Sequence, residues 1–547
     1  MKKIILIAIA LLWTASSLLQ ARTQEEASTI ASQFIGQRVA TIGSAKRVAA
    51  ASKVTLAFTQ NQIDQTTPAL FIFNSGTDDG FVMVSAEDEG RTILGYSDDG
   101  HFDKTNIPTN MQFWLQMYAD ELARYNANKQ PGKPALKRAA VQTSYPTITP
   151  ILGNVEWGQG EPYNNLCPTV NGERCVTGCV ATAISQIMYV HKHPTQGTGS
   201  HSYTSETHQL TSSADFSATT YDWSNMLPVY TRNNYNTTQA NAVATLMHHV
   251  GIAAEMDYDP EGSGAISAYA LSQMATYFGY DAGIRTLPKD YMREEEVMTA
   301  IISDLEQGHP IFIGGRTKND EGHAFVCDGM QSDGYLHINW GWYGGANGYF
   351  ALSALDPEQQ GTGGSASDMA FTEEVDVYTG IQPDQGGTAQ PLVTVSKIVR
   401  TSADRVGRNA NIAFSLERFT SSGMATAEGI ICYYIYDSND ILTTIQPIGS
   451  FELPTGRYYI DPITISYPIP SSLPDGEYKL EVGFSDENDK QHPILAKNAG
   501  RMYFPFTIDS NSITFGEGTG SGGGSNNTPL APITRADISY VQNSTNN

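Results

Sequence analysis

The segment Thr177 to His193, TGCVATAISQIMYVHKH, puts a single thiol at the mouth of an apolar run. Val180, Ala181, Ala183, Ile184, Ile187, Met188 and Val190 leave hardly any polar side, so the periodicity predicts a mostly buried helix that the rest of a domain must surround. Cys179 falls in its first turn. Unpaired backbone N–H groups and the positive end of the helix dipole favour thiolate there, which lowers a cysteine pKa and prepares a nucleophile. Free cysteine is also among the most buried residue types, and the choice between packing and chemistry turns on what lies downstream.

Downstream, GHAFVCDGM predicts a strand with His323 at its start; a turn follows at Asp333 and Gly334, and a second strand in YLHINWGW delivers Asn339 and Trp340. A lone Cys followed by His and then Asn, with Cys and His roughly 130 to 150 residues apart, is the layout of papain-like cysteine peptidases. Cys327, on the same strand as His323, reads as core packing.

The stretches TGCVATAISQIM, NAVATLMHHVGI, GHAFVCDG and HINWGW, with WGQGEPYN upstream, resemble the streptopain family of secreted bacterial cysteine peptidases over about Tyr145 to Thr379. The resemblance implies an α+β architecture: a two-lobed papain-like peptidase domain at 145–379, with a small α+β inhibitory prodomain at 22–138 ahead of it. It implies roles as well. Cys179 is the nucleophile and His323 the general base and acid; Gln159 supplies an amide to the oxyanion hole; Trp340 steadies His323, and Asn339 orients it in support. Ser263 and Gly322 match family positions that touch a substrate-like inhibitor. Gly-rich loops at Glu261 to Ala265, Gly341 to Gly348 and Gly361 to Ser367 suit an extended peptide, whose backbone must approach closely. A hydrophobic side chain two residues before the cut is expected from the apolar residues near these loops and from the family's habit.

Met1 to Ala21, with Lys2 and Lys3 ahead of an apolar stretch to Trp13, reads as a secretory signal peptide, so the product is expected to be secreted or associated with a bacterial cell envelope. No stretch after it is apolar enough to span a membrane. The N-terminal unit shows helical spacing over Glu25 to Val39 and Asn110 to Asn128, and strands at Val54 to Phe58, Ala69 to Asn74 and Gly80 to Ala86. Asn126 to Thr143 resembles an exposed processing linker, with cleavage expected between Ala135 and Tyr145. Beyond Pro383, seven short β-rich runs within 390–509 predict an all-β sandwich of immunoglobulin-like type. The tail at 510–547 is Gly/Ser-rich and reads as flexible.

Composition narrows the partners. With 57 acidic against 33 basic residues and a net charge of −24, nucleic acid is not expected as a partner, because phosphate binding needs clustered Lys and Arg. Expected partners are protein or peptide substrates and the chain's own prodomain as inhibitor. No HExxH and no paired-Cys zinc spacing occurs, so neither metal nor cofactor is expected. His191 and His193 read as partners of the helix C-terminus; His248 and His249, adjacent on a helix, face different ways. Cys167 and Cys175 stand close enough to pair in an oxidising compartment, or to remain thiols. The leading function is a secreted cysteine endopeptidase made as a zymogen, working through a thioester acyl-enzyme. Two other classes are weighed beside it: a Cys-His amidase or acyl transferase on cell-wall peptides, and a surface-binding protein with an inactive peptidase domain.

Overall fold

The computed structural model describes residues 22–42, 54–62, 64–88, 90–128, 144–316, 322–354 and 374–520. The signal-peptide assignment, nearly all of the processing linker, the Gly361 to Ser367 loop and the tail beyond 520 lie outside them. The N-terminal unit comprises helix α1 (Gln24–Ile42), strands β1 (Val54–Asn61), β2 (Pro68–Ser75), β3 (Phe81–Ser85) and β4 (Ile93–Ser97), and helix α2 (Thr109–Asn128). The β4 strand had no sequence counterpart. Its alternation is broken by Gly95, whose missing side chain admits the Phe350 ring.

The middle unit opens with a hairpin, β5 (Thr169–Val170) and β6 (Glu173–Arg174), followed by the buried helix α3 (Cys179–His191). Next come the hairpin β7 (Ser200–Thr204) and β8 (Thr211–Asp215), then helices α4 (Thr237–Ala253) and α5 (Ser267–Phe278). Strand β9 (Arg285–Pro288) precedes helix α6 (Glu294–Glu306), after which β10 (Ile311–Arg316), β11 (Gly322–Met330), β12 (Leu336–Asn339), β13 (Gly348–Phe350) and β14 (Glu374–Thr379) complete the unit. Local chemistry sets the helix ends. Asn236 and Gln239 form a reciprocal capping box at the start of α4, while left-handed Lys192 ends α3 just before Pro194.

The two units share one sheet of ten strands in the order β1-β2-β3-β4-β13-β12-β11-β10-β14-β9. The seam is the antiparallel pairing of β4 with β13, where Tyr96 faces Tyr349 and Gly95 faces Phe350. Strand alternation then divides two apolar cores. Ile311, Ile313, Phe325 and Cys327 face a core shared with Trp114 of α2 and Val297 of α6. Phe312, Ala324 and Val326 face the other, with Ile184 of α3, Leu246 of α4 and Leu271 of α5. Among the described residues no helix is long and apolar enough to cross a membrane.

The C-terminal region is all β. A three-stranded sheet of Lys397–Arg400, Asn411–Glu417 and Ile463–Pro468 and a larger sheet containing Ala427–Asp437, Gly476–Ser485 and Gly500–Ile508 enclose a third core with Phe414, Tyr433 and Phe504. Gln491–Ala496 and Ser512–Phe515 add strands to this region. The second of these falls where composition predicts a flexible tail. It is anchored because Phe506 pairs with Phe515 and Ile508 with Ile513, and both Ile513 and Phe515 are buried. The region touches the middle unit where the Asn498 N–H donates to the Asp290 carbonyl at 2.6 Å and Lys497 Nζ lies 3.4 Å from the Asp290 carboxylate.

Candidate active site

Cys179 is the first residue of α3, and Gly178 before it has φ 84°. A side chain at Gly178 would be strained by that φ and would also meet the Met256 sulfur and the Ser263 carbonyl, each at 2.8 Å. Glycine is therefore what lets the loop before the helix pass between two neighbours. The expectation of a lowered thiol pKa is not met. Burial raises the Cys179 pKa, against the pull of the backbone N–H groups of Ala324, Val180 and Cys179. Magnitudes explain the outcome: a helix terminus contributes about 0.3 to 1 kcal/mol, under one pKa unit, while burial moves a group by up to about 3 to 5 units when complete, so even the partial burial of this thiol outweighs the helix.

His323 lies 8% exposed at the start of β11, opposite Gly315 of β10. By strand alternation it shares the face of Phe325 and Cys327, away from α3. Its ring stacks on Phe113 of α2, centroids 5.1 Å apart and planes at 26°. Gly315 makes room for that ring, since a Cβ there would overlap it. Burial pushes the His323 pKa down to about 4, so the imidazole is neutral at physiological pH. Among the described residues no hydrogen bond joins the Cys179 sulfur to this ring, although the N–H of the next residue, Ala324, faces the sulfur. Three residues further back on α2, the Asn110 amide donates to the Ala324 carbonyl at 2.7 Å and to the Trp340 carbonyl at 2.8 Å. The N-terminal unit thus grips β11 beside the histidine and the end of β12.

The other expected residues surround this pair. Gln159 is fixed beside the helix mouth, its carbonyl accepting from Thr177 N at 3.1 Å. Trp340 is fully buried; its indole N–H donates to Ala346 O at 2.9 Å, and its ring packs on Phe325 and Trp114. Asn339 has both ends of its amide engaged away from His323: Nδ2 donates to Val155 O at 2.7 Å and Oδ1 accepts from Gly341 N at 2.9 Å. In this form it holds the Gly341 turn. Ser263 Oγ donates to Val176 O at 2.7 Å and accepts from Asp259 N at 3.0 Å, tying its loop to the strand of chain before Cys179. Gly322 is exposed, and among the described residues no atom lies within 4 Å of where a Cβ would stand.

One participant escaped the sequence reading. Tyr343 accepts from Gly160 N at 2.7 Å through its hydroxyl, and its own N–H donates to Trp157 O at 3.1 Å, so it brackets Gln159 from both sides. An aromatic in a Gly-rich turn carries no signal of such a contact. Cys167, Cys175 and Cys327 are free, buried thiols; burial pushes Cys167 up to about 12. His191 is held near 4 by burial and is uncharged, so it does not serve the helix dipole. Among the described residues no group of three or more His, Cys, Asp or Glu is placed to hold a metal ion.

Residues 157–350 match the Peptidase C10 family and residues 20–122 match the Spi protease inhibitor family. Streptopain of Streptococcus pyogenes is 31% identical over 381 residues, 66% of this chain and 92% of streptopain. The thiol protease/hemagglutinin PrtT of Porphyromonas gingivalis is 31% identical over 396 residues, 70% of this chain; the chain spans only 45% of that protein's length. Among solved structures, a fragment of prointerpain A from Prevotella intermedia matches with 32% identity and a TM-score of 0.50, covering 60% of this chain and 99% of the fragment. The chain belongs to the Peptidase C10, or streptopain, family of cysteine-type peptidases and carries a propeptide-like inhibitor region ahead of its peptidase domain.

Proposed function

We propose that the structure is that of the latent precursor of a secreted cysteine endopeptidase. In this reading, 1–21 is a signal peptide, 22–138 an inhibitory prodomain, 145–379 a two-lobed papain-like domain and 390–509 an immunoglobulin-like sandwich, which Ser512–Phe515 extends. The observation that carries it is the Phe113 ring laid against His323. A half-buried thiol and a buried imidazole on different sides of a strand leave the thiol protonated, with no base in reach to take its proton. Departure of α2 frees His323, at the first turnable position of β11 beside unhindered Gly322, to swing toward the sulfur.

The chemistry then follows from proton bookkeeping. His323 takes the thiol proton, and the thiolate of Cys179 attacks the scissile carbonyl carbon. The carbonyl π electrons move to oxygen, where the Cys179 N–H and the Gln159 side-chain amide stabilise them. Collapse breaks the C–N bond, the imidazolium protonates the departing amine, and a thioester remains. Water, deprotonated by His323, attacks that thioester; the acid leaves and the thiol is restored. Trp340 steadies the imidazole, while Ser263 and Gly322 flank the bound peptide, which presents a hydrophobic residue two positions before the cut.

Incubating the purified precursor and sequencing the N-terminus of the product tests the scheme. A new terminus between Ala135 and Tyr145 is expected, with casein cleavage blocked by a thiol-directed epoxide. Cys179→Ala abolishes both self-processing and casein cleavage while leaving the melting temperature near that of the parent. Survival of either activity removes Cys179 from its role.

A further inference from the structure

Helix α2 reaches past the histidine. Glu121 lies eight residues beyond Phe113, about 12 Å along a helix that rises 1.5 Å per residue, and it is 3% exposed. Its carboxylate meets three donors, all from the peptidase unit. Lys289 Nζ donates to Oε1; Ser353 Oγ donates to Oε2 at 3.0 Å and Ala354 N to the same oxygen at 2.6 Å. Lys289, Ser353 and Ala354 are themselves buried. The lysine is further fixed by Met117, whose sulfur lies 3.8 Å from Nζ.

We propose that Lys289, Ser353 and the Ala354 N–H form a carboxylate-binding recess of the peptidase unit, distinct from the Cys179 cleft. Glu121 fills it in the precursor, and in the mature enzyme it takes the side-chain carboxylate of a helical polypeptide inhibitor, the excised N-terminal unit being the first such ligand. This rests on the reading that the N-terminal unit leaves at maturation. The selectivity follows from the donor set. One oxygen faces an ammonium, the other a hydroxyl and a backbone N–H, and a carboxylate satisfies all three with two acceptor atoms. An amide would turn an NH2 group against a donor. A buried, hydrogen-bonded charge pair also penalises any occupant that leaves Lys289 unmatched.

The test uses full-length Cys179→Ala protein, which does not process itself. Glu121→Ala removes the methylene and carboxylate that acetate reproduces. Acetate is expected to raise the melting temperature of Glu121→Ala saturably by several degrees, with acetamide and chloride ineffective and Glu121→Gln unresponsive. Adding Ser353→Ala should weaken the acetate effect. Equal responses to acetate and acetamide overturn the site. Should Glu121→Ala fail to fold in either solution, Glu121→Asp and Glu121→Gln decide in the Cys179 parent: the amide variant should mature about tenfold or more faster than the parent, and the carboxylate variant more slowly than the amide. The reverse order overturns the recess. If the parent precursor never matures, the latency reading fails, while the acetate comparison still decides the site.

Discussion

Replacing Phe113 with alanine is the sharpest probe of latency. The ring is 3% exposed and occupies the slot between Gly315 and His323. Truncating a buried phenylalanine costs about 3 to 5 kcal/mol through lost burial and the cavity left behind. Because this ring is inserted between units, the loss falls chiefly on docking of the N-terminal unit. At about 1.4 kcal/mol per factor of ten, docking weakens by about a hundredfold or more. Two assays read it. Self-processing of Phe113→Ala, followed by gel electrophoresis over time, should accelerate by a comparable factor if undocking limits maturation. In a Cys179→Ala background, NMR titration should show the His323 pKa moving from about 4 toward its ordinary 6.5 as water reaches the ring. Unchanged maturation together with an unchanged histidine titration would refute the claim that Phe113 caps the imidazole.

Three further predictions concern pH, the Gln159 loop and the C-terminal region. His323, held near 4 in the docked state, supports docking above pH 6.5 and loses that support as pH falls toward 4. Glu294, raised to about 7 by burial despite Arg91 and Lys289, supports docking below 4.5 and loses it as pH rises through 7. The two slopes oppose each other, so Glu294→Gln should unmask a precursor whose maturation accelerates on acidification from pH 6.5, measured against a flatter parent profile; an unchanged profile counts against this assignment. In the mature enzyme Tyr343→Ala should lower kcat by about tenfold with KM little changed, in line with loss of positioned oxyanion stabilisation, and steady-state kinetics on a peptide substrate check it. In the C-terminal region, Glu481 is fully buried and paired with Arg501 at 2.6 and 2.7 Å and with the Tyr436 hydroxyl at 2.9 Å. Glu481→Ala should destabilise that region by about 3 to 5 kcal/mol, seen as a lowered calorimetric transition with kcat/KM retained.

What the sequence revealed was local. The run after Cys179 is apolar on nearly every side and forms α3; GHAFVCDGM alternates and forms β11; the spacing of Phe113, Trp114, Met117 and Leu122 forms α2. Each rests on a pattern within a dozen residues. What stayed hidden was set by distant partners. Phe113 reads as ordinary core on an amphipathic helix, and only the fold brings His323 and Gly315 to it. Lys289 and Glu121 look like surface charges until each is seen to bury the other. The direction of the Cys179 shift failed for the same reason: helix placement is written in the chain, whereas desolvation is imposed by neighbours from other segments. In Gln491–Ala496, Pro493 weakens the strand signal, yet residues on both sides of it pair with their neighbours.

The seam between β4 and β13 has one more outcome. As long as the N-terminal unit stays, the backbone of Tyr349 and Phe350 is matched by Tyr96 and Gly95. On the proposed maturation, its exit would peel away four strands and turn β13 into the outer margin of what remains, with bare amides and carbonyls along one side. Such a margin invites other chains to zip onto it. The strand itself is only three residues, Gly348 to Phe350, and beyond it the backbone contacts are single bonds, from Ala351 N to Leu94 O and from Arg91 N to Ala354 O, so the margin is too short to template a long ladder.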